Sequence, residues 1–497
     1  MSFKCEINNT KSMLRKIRIA LAIVCFVAAT LLFLDFTGIL RHYLGWIAKI
    51  QLLPAVLAVN VVVVGVFLLF TILFGRTYCS VICPMGVMQD IFSHLGGKMK
   101  KNRFHYTKGL PWLRAVVLVV FVLLMVLGLN SIAVLIAPYS AYGRIASSLF
   151  QPVYMWINNL CAYFAERAEC YTFYSVDVWV KSGVVLAVAA VTFVVIGFMS
   201  FRWGRLWCNT ICPVGTVLGF VSKYSFYRPV IDTTKCNGCG KCAKNCKSMC
   251  INPKEHTVDM SRCVSCMDCI ENCSQHAIQF RRGKAVVNTE AVDGSRRKFM
   301  AATAATAATM AVSAQEKKVD GGLAVLVDKQ LPERKVPLKP AGSVSLKHFS
   351  VRCTACQLCV SVCPQHVLRP SQKLTTLMQP EMGFERGFCP VDCTKCSDAC
   401  PTGAIRTVTP ELKSAIRIGH AVTVPSNCLL AQGVECNACS RHCPSAAISL
   451  VSDEATGHSR VAVNEMRCIG CGACEYYCPV RPFSAIYVEG HEVHAKV

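Results

Sequence analysis

The sequence predicts an α-helical membrane domain of four transmembrane helices with an internal two-helix repeat, followed by α+β modules built around quartets of cysteine. Three observations carry this prediction. The 497-residue chain is 53% hydrophobic and 16% charged, with a mean hydropathy of +0.41, which is too apolar for a water-soluble chain of this size. Its 33 cysteines fall in tight runs with two- and three-residue gaps, as metal thiolates made in a reducing compartment do and scattered disulfides do not. A cysteine-proline signature also occurs twice within the apolar half. The formal charge of +24 does not indicate nucleic acid. Many of the basic residues flank apolar segments, and each oxidised cluster on four thiolates carries roughly −2.

Residues 1–230 form the membrane domain. Four segments reach the roughly 20 residues needed to cross hydrocarbon: Ile19–Leu40, Ile50–Gly75, Ala115–Pro138 and Gly183–Phe201. Lys4, Lys11, Arg15, Lys16 and Arg18 precede the first, and Arg76, Lys98, Lys100, Lys101, Arg103, Lys108 and Arg114 separate the second from the third. The alternate loops hold only Arg41, Lys49, Arg144, Arg167 and Lys181. This asymmetry places the N-terminus, the second loop and the exit of the fourth helix in the cytoplasm of a bacterial inner membrane.

Both cytoplasmic exits carry one signature. Gly75-Arg76-Thr77-Tyr78-Cys79-Ser80-Val81-Ile82-Cys83-Pro84-Met85-Gly86 recurs as Gly204-Arg205-Leu206-Trp207-Cys208-Asn209-Thr210-Ile211-Cys212-Pro213-Val214-Gly215. Cysteines four apart share one helix face, and the proline limits the helix that would carry them. Three readings stand open for Cys79, Cys83, Cys208 and Cys212: a joint metal or cluster site, redox dithiols, or packed structural cysteines. Asp35, the one acid within an apolar span, is a candidate proton acceptor from a quinol; the competing reading is an interfacial acid near His42 that faces water. Cys25 is read as a core residue, and Cys161 and Cys170 as a pair placed to form a disulfide.

Residues 231–285 contain Cys236-x2-Cys239-x2-Cys242-x3-Cys246 and Cys263-x2-Cys266-x2-Cys269-x3-Cys273, the spacing of bacterial two-cluster ferredoxins. In that arrangement three thiolates of one loop and the fourth cysteine of the other run hold each cubane. One [4Fe-4S] cluster is therefore assigned to Cys236, Cys239, Cys242 and Cys273, and a second to Cys263, Cys266, Cys269 and Cys246. Zinc sites use two CxxC pairs rather than such runs. Cys250 is near enough to Cys246 to compete with it.

Residues 286–344 hold Ser295-Arg296-Arg297-Lys298-Phe299-Met300, then an alanine/threonine run to Ala314 and a polar, proline-containing linker. Paired arginines before a mildly apolar run look like a twin-arginine export signal at an internal position, and Val312-Ser313-Ala314 looks like a signal-peptidase site. The alternative is a flexible linker.

Residues 345–497 carry four more quartets, each ending in Cys-Pro: Cys353/Cys356/Cys359/Cys363, Cys389/Cys393/Cys396/Cys400, Cys428/Cys436/Cys439/Cys443 and Cys468/Cys471/Cys474/Cys478. Crosswise ligation pairs them into two ferredoxin-like modules. The four clusters then take Cys353, Cys356, Cys359 and Cys400; Cys389, Cys393, Cys396 and Cys363; Cys428, Cys436, Cys439 and Cys478; and Cys468, Cys471, Cys474 and Cys443. This makes six [4Fe-4S] clusters in the chain.

Two Cys-x3-Cys-Pro motifs on four helices, with a two-cluster ferredoxin, resemble the NapH family of membrane quinol dehydrogenase subunits. The twin-arginine segment and four quartets with widened Cys-x3-Cys and Cys-x7-Cys gaps resemble the MauM/NapG ferredoxins, so the whole is similar to a NapH–NapG fusion. The resemblance implies oxidation of menaquinol from the quinone pool and passage of electrons to a periplasmic reductase, such as nitrate reductase, or to cytochrome subunits. It also implies that residues 231–285 are cytoplasmic and that residues 345–497 are exported, already folded around their clusters, to the periplasm. Cys-x3-Cys-Pro proteins of the CcoG type offer another class, metal reduction or cofactor assembly; a docking anchor for redox partners is a third. The chain has no nucleotide-binding glycine motif and no Cys-x-x-Cys-His haem site, so electrons enter from and leave to partners.

Overall fold

Asp35 breaks the first apolar helix. In the computed structural model, which describes residues 2–99, 101, 104–169, 173–283, 327–452 and 459–496, α1 (Ser2–Leu34) stops one residue before it. The Asp35 carboxylate accepts from Thr37 N at 3.0 Å, Thr37 Oγ1 at 2.7 Å, Gly38 N at 2.8 Å and Arg41 N at 3.2 Å. An aspartate side chain that satisfies backbone N–H groups in this way favours a turn over continued helix. The chain reverses through Gly38 (φ 86°) into α2 (Ile39–Lys49), so the expected span Ile19–Leu40 ends at Leu34.

Two further expected spans are also broken. Ile50–Gly75 divides into α3 (Leu52–Leu57) and α4 (Val61–Phe74), because the Asn60 side chain accepts from Val63 N at 3.2 Å and starts a new helix. Ala115–Pro138 becomes α7 (Pro111–Val126), ended by Gly128 at φ 78°, followed by the short α8 (Asn130–Ala133). Pro138 opens α9 (Pro138–Ile145), which continues through a π-helical turn into α10 (Gln151–Arg167). The charge pattern predicts an outward loop there, yet α9 is buried along its whole length and packs against the helices over Pro84–Lys98 and Gly183–Trp203. Only the last span is one helix, α11 (Gly183–Trp203). Among the described residues, Met13–Leu34 and α11 are long and apolar enough to cross a membrane, at 22 and 21 residues. At 14 and 16 residues, α4 and α7 fall short of the roughly 20 required.

The two signatures build matching corners. Cys79 lies in α5 (Tyr78–Val81) and Cys83 precedes α6 (Pro84–Lys98); Cys208 lies in α12 (Leu206–Thr210) and Cys212 precedes α13 (Pro213–Ser222). In both corners proline takes the first helical position, where its missing N–H costs nothing.

Two ferredoxin-type units follow, with small antiparallel ladders. In the first, β1 (Tyr227–Ile231) pairs with β4 (Ile278–Arg282), and β2 (Ile251–Asn252) with β3 (Thr257–Val258). The second holds β5 (Leu368–Pro370) against β6 (Pro380–Met382), and β7 (Ile416–Thr423) against β10 (Ile486–Lys496). Within the latter, β8 (Ile448–Ser452) pairs with β9 (Ser459–Val463), repeating the first unit's nesting of an inner ladder within an outer one.

These units pack on opposite ends of the helices. At one end, Arg15 Nε meets Asp268 at 2.9 Å, Lys247 Nζ meets Asp90 at 2.8 Å, and Arg76 Nη1 donates to Ser261 O at 3.0 Å. At the other, Arg41 Nη1 donates to Lys395 O at 2.8 Å, Asn130 Nδ2 to Ser350 O at 3.0 Å, and Gln151 Nε2 to Ser361 O at 3.0 Å. Arg15 and Asp35 are separated by about 30 Å of helix, which is the thickness of a hydrocarbon core. One continuous buried core runs between these ends, from Val264 past Cys83 and Cys212 to Cys356.

Candidate iron–sulfur sites

Four of the six cysteine loops share a backbone conformation that most side chains avoid. Around Cys266, Ser265 and Met267 have φ of 50° and 65°; around Cys356, Ala355 and Gln357 have 48° and 64°. Gly238 and Gly240 hold the same positions around Cys239, as Gly470 and Gly472 do around Cys471. A further left-handed residue stands three positions after a quartet's fourth cysteine: Met249, His276, His366, Gly403 and Ala446. Non-glycine residues cost roughly 1–2 kcal/mol each in this region, and strain that recurs at one place marks a working site. Here it curls the loop so that successive thiols face inward.

The thiols gather in the crosswise combinations. A cavity of about 420 Å³ is lined by Cys428, Cys436, Cys439 and Cys478. Smaller cavities are lined by Cys363, Cys389, Cys393 and Cys396, and by Cys246, Cys263, Cys266 and Cys269 with Cys250. Cys353, Cys356, Cys359 and Cys400 lie within electrostatic reach of one another, as do Cys443, Cys468, Cys471 and Cys474. Cys242 adjoins Cys236 and Cys273, while Cys239 is exposed at that loop's rim. Burial pushes the Cys356 and Cys439 thiols up to about 11 and Cys471 up to about 12; ligation to cationic iron supplies the opposite pull and makes them thiolates. Backbone N–H groups already point at the sulfurs, Ala277 N to Cys273 and Ala447 N to Cys443, each at 3.3 Å. Four thiols around a cavity with N–H donors aimed at sulfur are a donor set that fits an iron–sulfur cube.

Two neighbours of the quartets differ from the rest. Lys413, buried, places Nζ 3.2 Å from Cys389 Sγ and donates to Cys393 O at 2.7 Å. Its sequence context gives no hint of that role. Cys250 Sγ lies 3.6 Å from Cys246 Sγ; it occupies the place that Ala277, Ala404 and Ala447 fill after other fourth cysteines.

The paired signatures meet in one buried place. Cys79, Cys83, Cys208 and Cys212 are all at most 4% exposed, and each copy's arginine crosses to the other copy. Arg76 Nη2 lies 3.3 Å from Cys208 O and 3.9 Å from Cys79 Sγ, while Arg205 Nη1 donates to Cys79 O at 2.7 Å. The repeated glycines make this crossing possible: a Cβ on Gly86 would strike Cys79 O, and one on Gly215 would strike Cys208 O and the Arg76 guanidinium. Arg205 Nε is held by Asp90 Oδ1 at 2.7 Å. Asp90 also pairs with Lys247 at 2.8 Å and Arg18 at 3.5 Å. Burial opposes ionisation of Asp90, but Arg205 and Lys247 outweigh it and hold the carboxyl below the usual range. Among the described residues, no three ligand-type side chains converge on a single ion position, here or in the quartets.

Asp35 lies at the opposite end from these thiols, 4% exposed, with both oxygens occupied by the turn. The arrangement gives it a structural task, and burial replaces the expected contact with water. Cys161 is an exposed free thiol. Cys170 and the Arg296-Arg297 segment through Ala314 lie outside the described residues.

Comparison with known proteins follows the same divisions. A model described as "4Fe-4S binding domain" matches residues 56–102 and again 184–231, the two signature copies. Models described as "4Fe-4S dicluster domain" match residues 259–367, 352–405 and 434–481. The methylamine utilization ferredoxin-type protein MauM of Methylobacillus flagellatus is 34% identical over 169 residues, covering 32% of this chain and 70% of MauM. The chain belongs to the MauM family of ferredoxin-type proteins. NapF, the ferredoxin-type protein of Escherichia coli K12, is 29% identical over 154 residues, 31% of this MauM-family chain and 87% of NapF. YccM of the same organism, an electron-transport candidate, is 26% identical over 202 residues; the match covers 39% of this chain and about half of YccM, 48%. No solved structure matches. With these relatives and domains, the MauM-family chain is an iron–sulfur protein of electron transfer.

Proposed function

We infer that this chain is a membrane-embedded electron carrier of the NapH–NapG kind, which oxidises menaquinol and delivers single electrons to a periplasmic reductase. One observation carries the reading: two ferredoxin-type units sit at opposite ends of an apolar helical bundle, about 30 Å apart along α1. A carrier confined to one compartment has no use for that separation. In this reading four segments cross the bilayer, two as interrupted helices, with residues 231–285 cytoplasmic and residues 345–497 periplasmic.

Six cubanes on the crosswise quartets supply one-electron chemistry. The residues of the chain set its conditions. Left-handed loop residues hold the thiols inward, N–H groups aimed at sulfur stabilise the reduced state, and the interfaces at both bundle ends fix the spacing between modules. Export of the second unit, already folded around its clusters, is the task that a twin-arginine signal at Arg296-Arg297 serves.

The test uses the full chain in sealed proteoliposomes loaded with a menaquinol analogue. Reduction of the cluster absorbance by the quinol, and digestion of residues 345–497 by protease from one face with residues 231–283 digested only from the other, are the expected results. Clusters that stay oxidised in quinol refute the donor, and digestion of both units from one face refutes the sidedness.

A further inference from the structure

Neither copy of the paired signature holds enough ligands for the group its domain family is described as binding. Each "4Fe-4S binding domain" match contains only two motif cysteines, Cys79 and Cys83 or Cys208 and Cys212, whereas a cubane or a two-iron cluster takes four thiolates. The crossed arginines bring the two pairs together. We propose that Cys79, Cys83, Cys208 and Cys212 jointly hold one additional iron–sulfur centre, shared between the two repeats and placed between the two ferredoxin-type units.

Charge is the first argument. Arg76 is fully buried, and its partners are the neutral Asn209 Oδ1 at 3.2 Å, two carbonyl oxygens and the Cys79 sulfur. A buried guanidinium without an anion costs several kcal/mol, and the paired thiols are the groups beside it that ligation would make anionic. Unused donors are the second argument. Arg76 Nε and Arg205 Nη2 are buried without partners, and the fully buried Gln89 amide has no oxygen or nitrogen partner, only the Cys208 sulfur as its polar neighbour. Buried polar atoms of this kind are rare unless a ligand takes them, and inorganic sulfide and thiolate are acceptors. A third argument is likeness: Gly215 N stands 3.3 Å from Cys212 Sγ, the N–H to sulfur contact found at Cys273 and Cys443. Two buried pairs of thiols, four in all, match a cluster in which each thiolate meets its own iron.

Position suggests the use. On one side Arg76 reaches Ser261 in the first unit. On the other, Tyr78 lies within electrostatic reach of Cys83, and Tyr139 within electrostatic reach of Tyr78 and of Cys356 and Cys400 of the second unit. The centre would take one electron from a reduced cubane of one unit and give one to an oxidised cubane of the other, returning to its starting state with no bond made or broken.

The experiment is a count of iron and acid-labile sulfide on the full chain, purified anaerobically in detergent, with electron paramagnetic resonance of the reduced protein. Wild type is expected to exceed the content of six cubanes by about two to four irons. The variant Cys79→Ser/Cys208→Ser should lose that surplus and one paramagnetic species, and keep the rest of the spectrum. Iron equal to six cubanes in the wild type, a surplus metal that is zinc, or an unchanged surplus in a folded variant overturns the proposal. The wild-type count stands even if the variant does not fold, and it is independent of whether quinol is the donor.

Discussion

Replacing Asp90 by asparagine tests how the first ferredoxin unit is fastened to the helices. The carboxylate binds Arg205 at 2.7 Å, Lys247 at 2.8 Å and Arg18 at 3.5 Å, with side chains 0%, 9% and 12% exposed. After the change Lys247 keeps Asp268 at 3.3 Å, and Arg18 is distant enough to contribute little. Arg205 is left buried with only neutral acceptors, the Cys79 carbonyl and the asparagine amide oxygen, and breaking a buried ion pair in this way costs about 3–5 kcal/mol. Hydrogen exchange of the β1 and β4 amides, measured by mass spectrometry in detergent, should then rise roughly 100- to 4,000-fold, at 1.4 kcal/mol per factor of ten. The double variant Asp90→Asn/Arg205→Gln should recover part of the loss, because the orphaned cation is gone. The effect also has a pH sign. The folded Asp90 pKa is depressed, so its contribution is complete above the unfolded value near 3.9 and disappears as pH falls through the folded one; the asparagine variant should lack that acid sensitivity. Exchange within tenfold of wild type, or a double variant no better than the single, would refute the reasoning.

Other expectations concern the cluster surroundings. Lys413→Met removes a charged donor to Cys389 worth about 1.5–3 kcal/mol, so the potential of the Cys363/Cys389/Cys393/Cys396 cluster should fall by roughly 60–130 mV in a redox titration. Cys250→Ala removes a thiol 3.6 Å from Cys246 and should lower the potential of its cluster by roughly 40 mV, the equivalent of about 1 kcal/mol. If Cys250 is itself the ligand, the variant will lose the cluster's signal instead. Gly86→Ala drives a methyl into Cys79 O; it should destabilise the chain by about 1–3 kcal/mol, read as a lowered thermal midpoint. Wild-type stability in that variant would mean the crossed-arginine packing is misplaced.

Spacing made the quartets legible, because cluster geometry and sequence geometry are the same fact: three thiols on one tight loop and one from its twin. The crosswise groupings of thiols could be written down before any fold was known. Hydropathy served the helices less well. It averages over a window and cannot register one side chain that takes up backbone donors, which is how Asp35 and Asn60 broke two expected spans. Nor could it separate α9 and α10 from a loop, since their polar residues Ser140, Arg144 and Gln151 are buried against other elements rather than in water. The repeated arginine and glycine of the signature were visible as repetition. Their purpose was not, because each acts on the other copy.

That exchange has a consequence for how the chain is made. Arg76 is seated against Cys208, and Cys79 is held by an arginine at position 205, so the first corner is unfinished until the second has been synthesised. At about 5–20 residues per second, the ribosome leaves the first repeat waiting on the order of 10 s with its cysteines open. Any metal delivered in that interval would meet two thiols rather than four. A ribosome-stalled chain ending before Gly204 should be protease-sensitive at Arg76 and alkylate readily at Cys79 and Cys83, while the chain released after Ser222 should do neither. The order of synthesis thus keeps the site from closing before both halves are present.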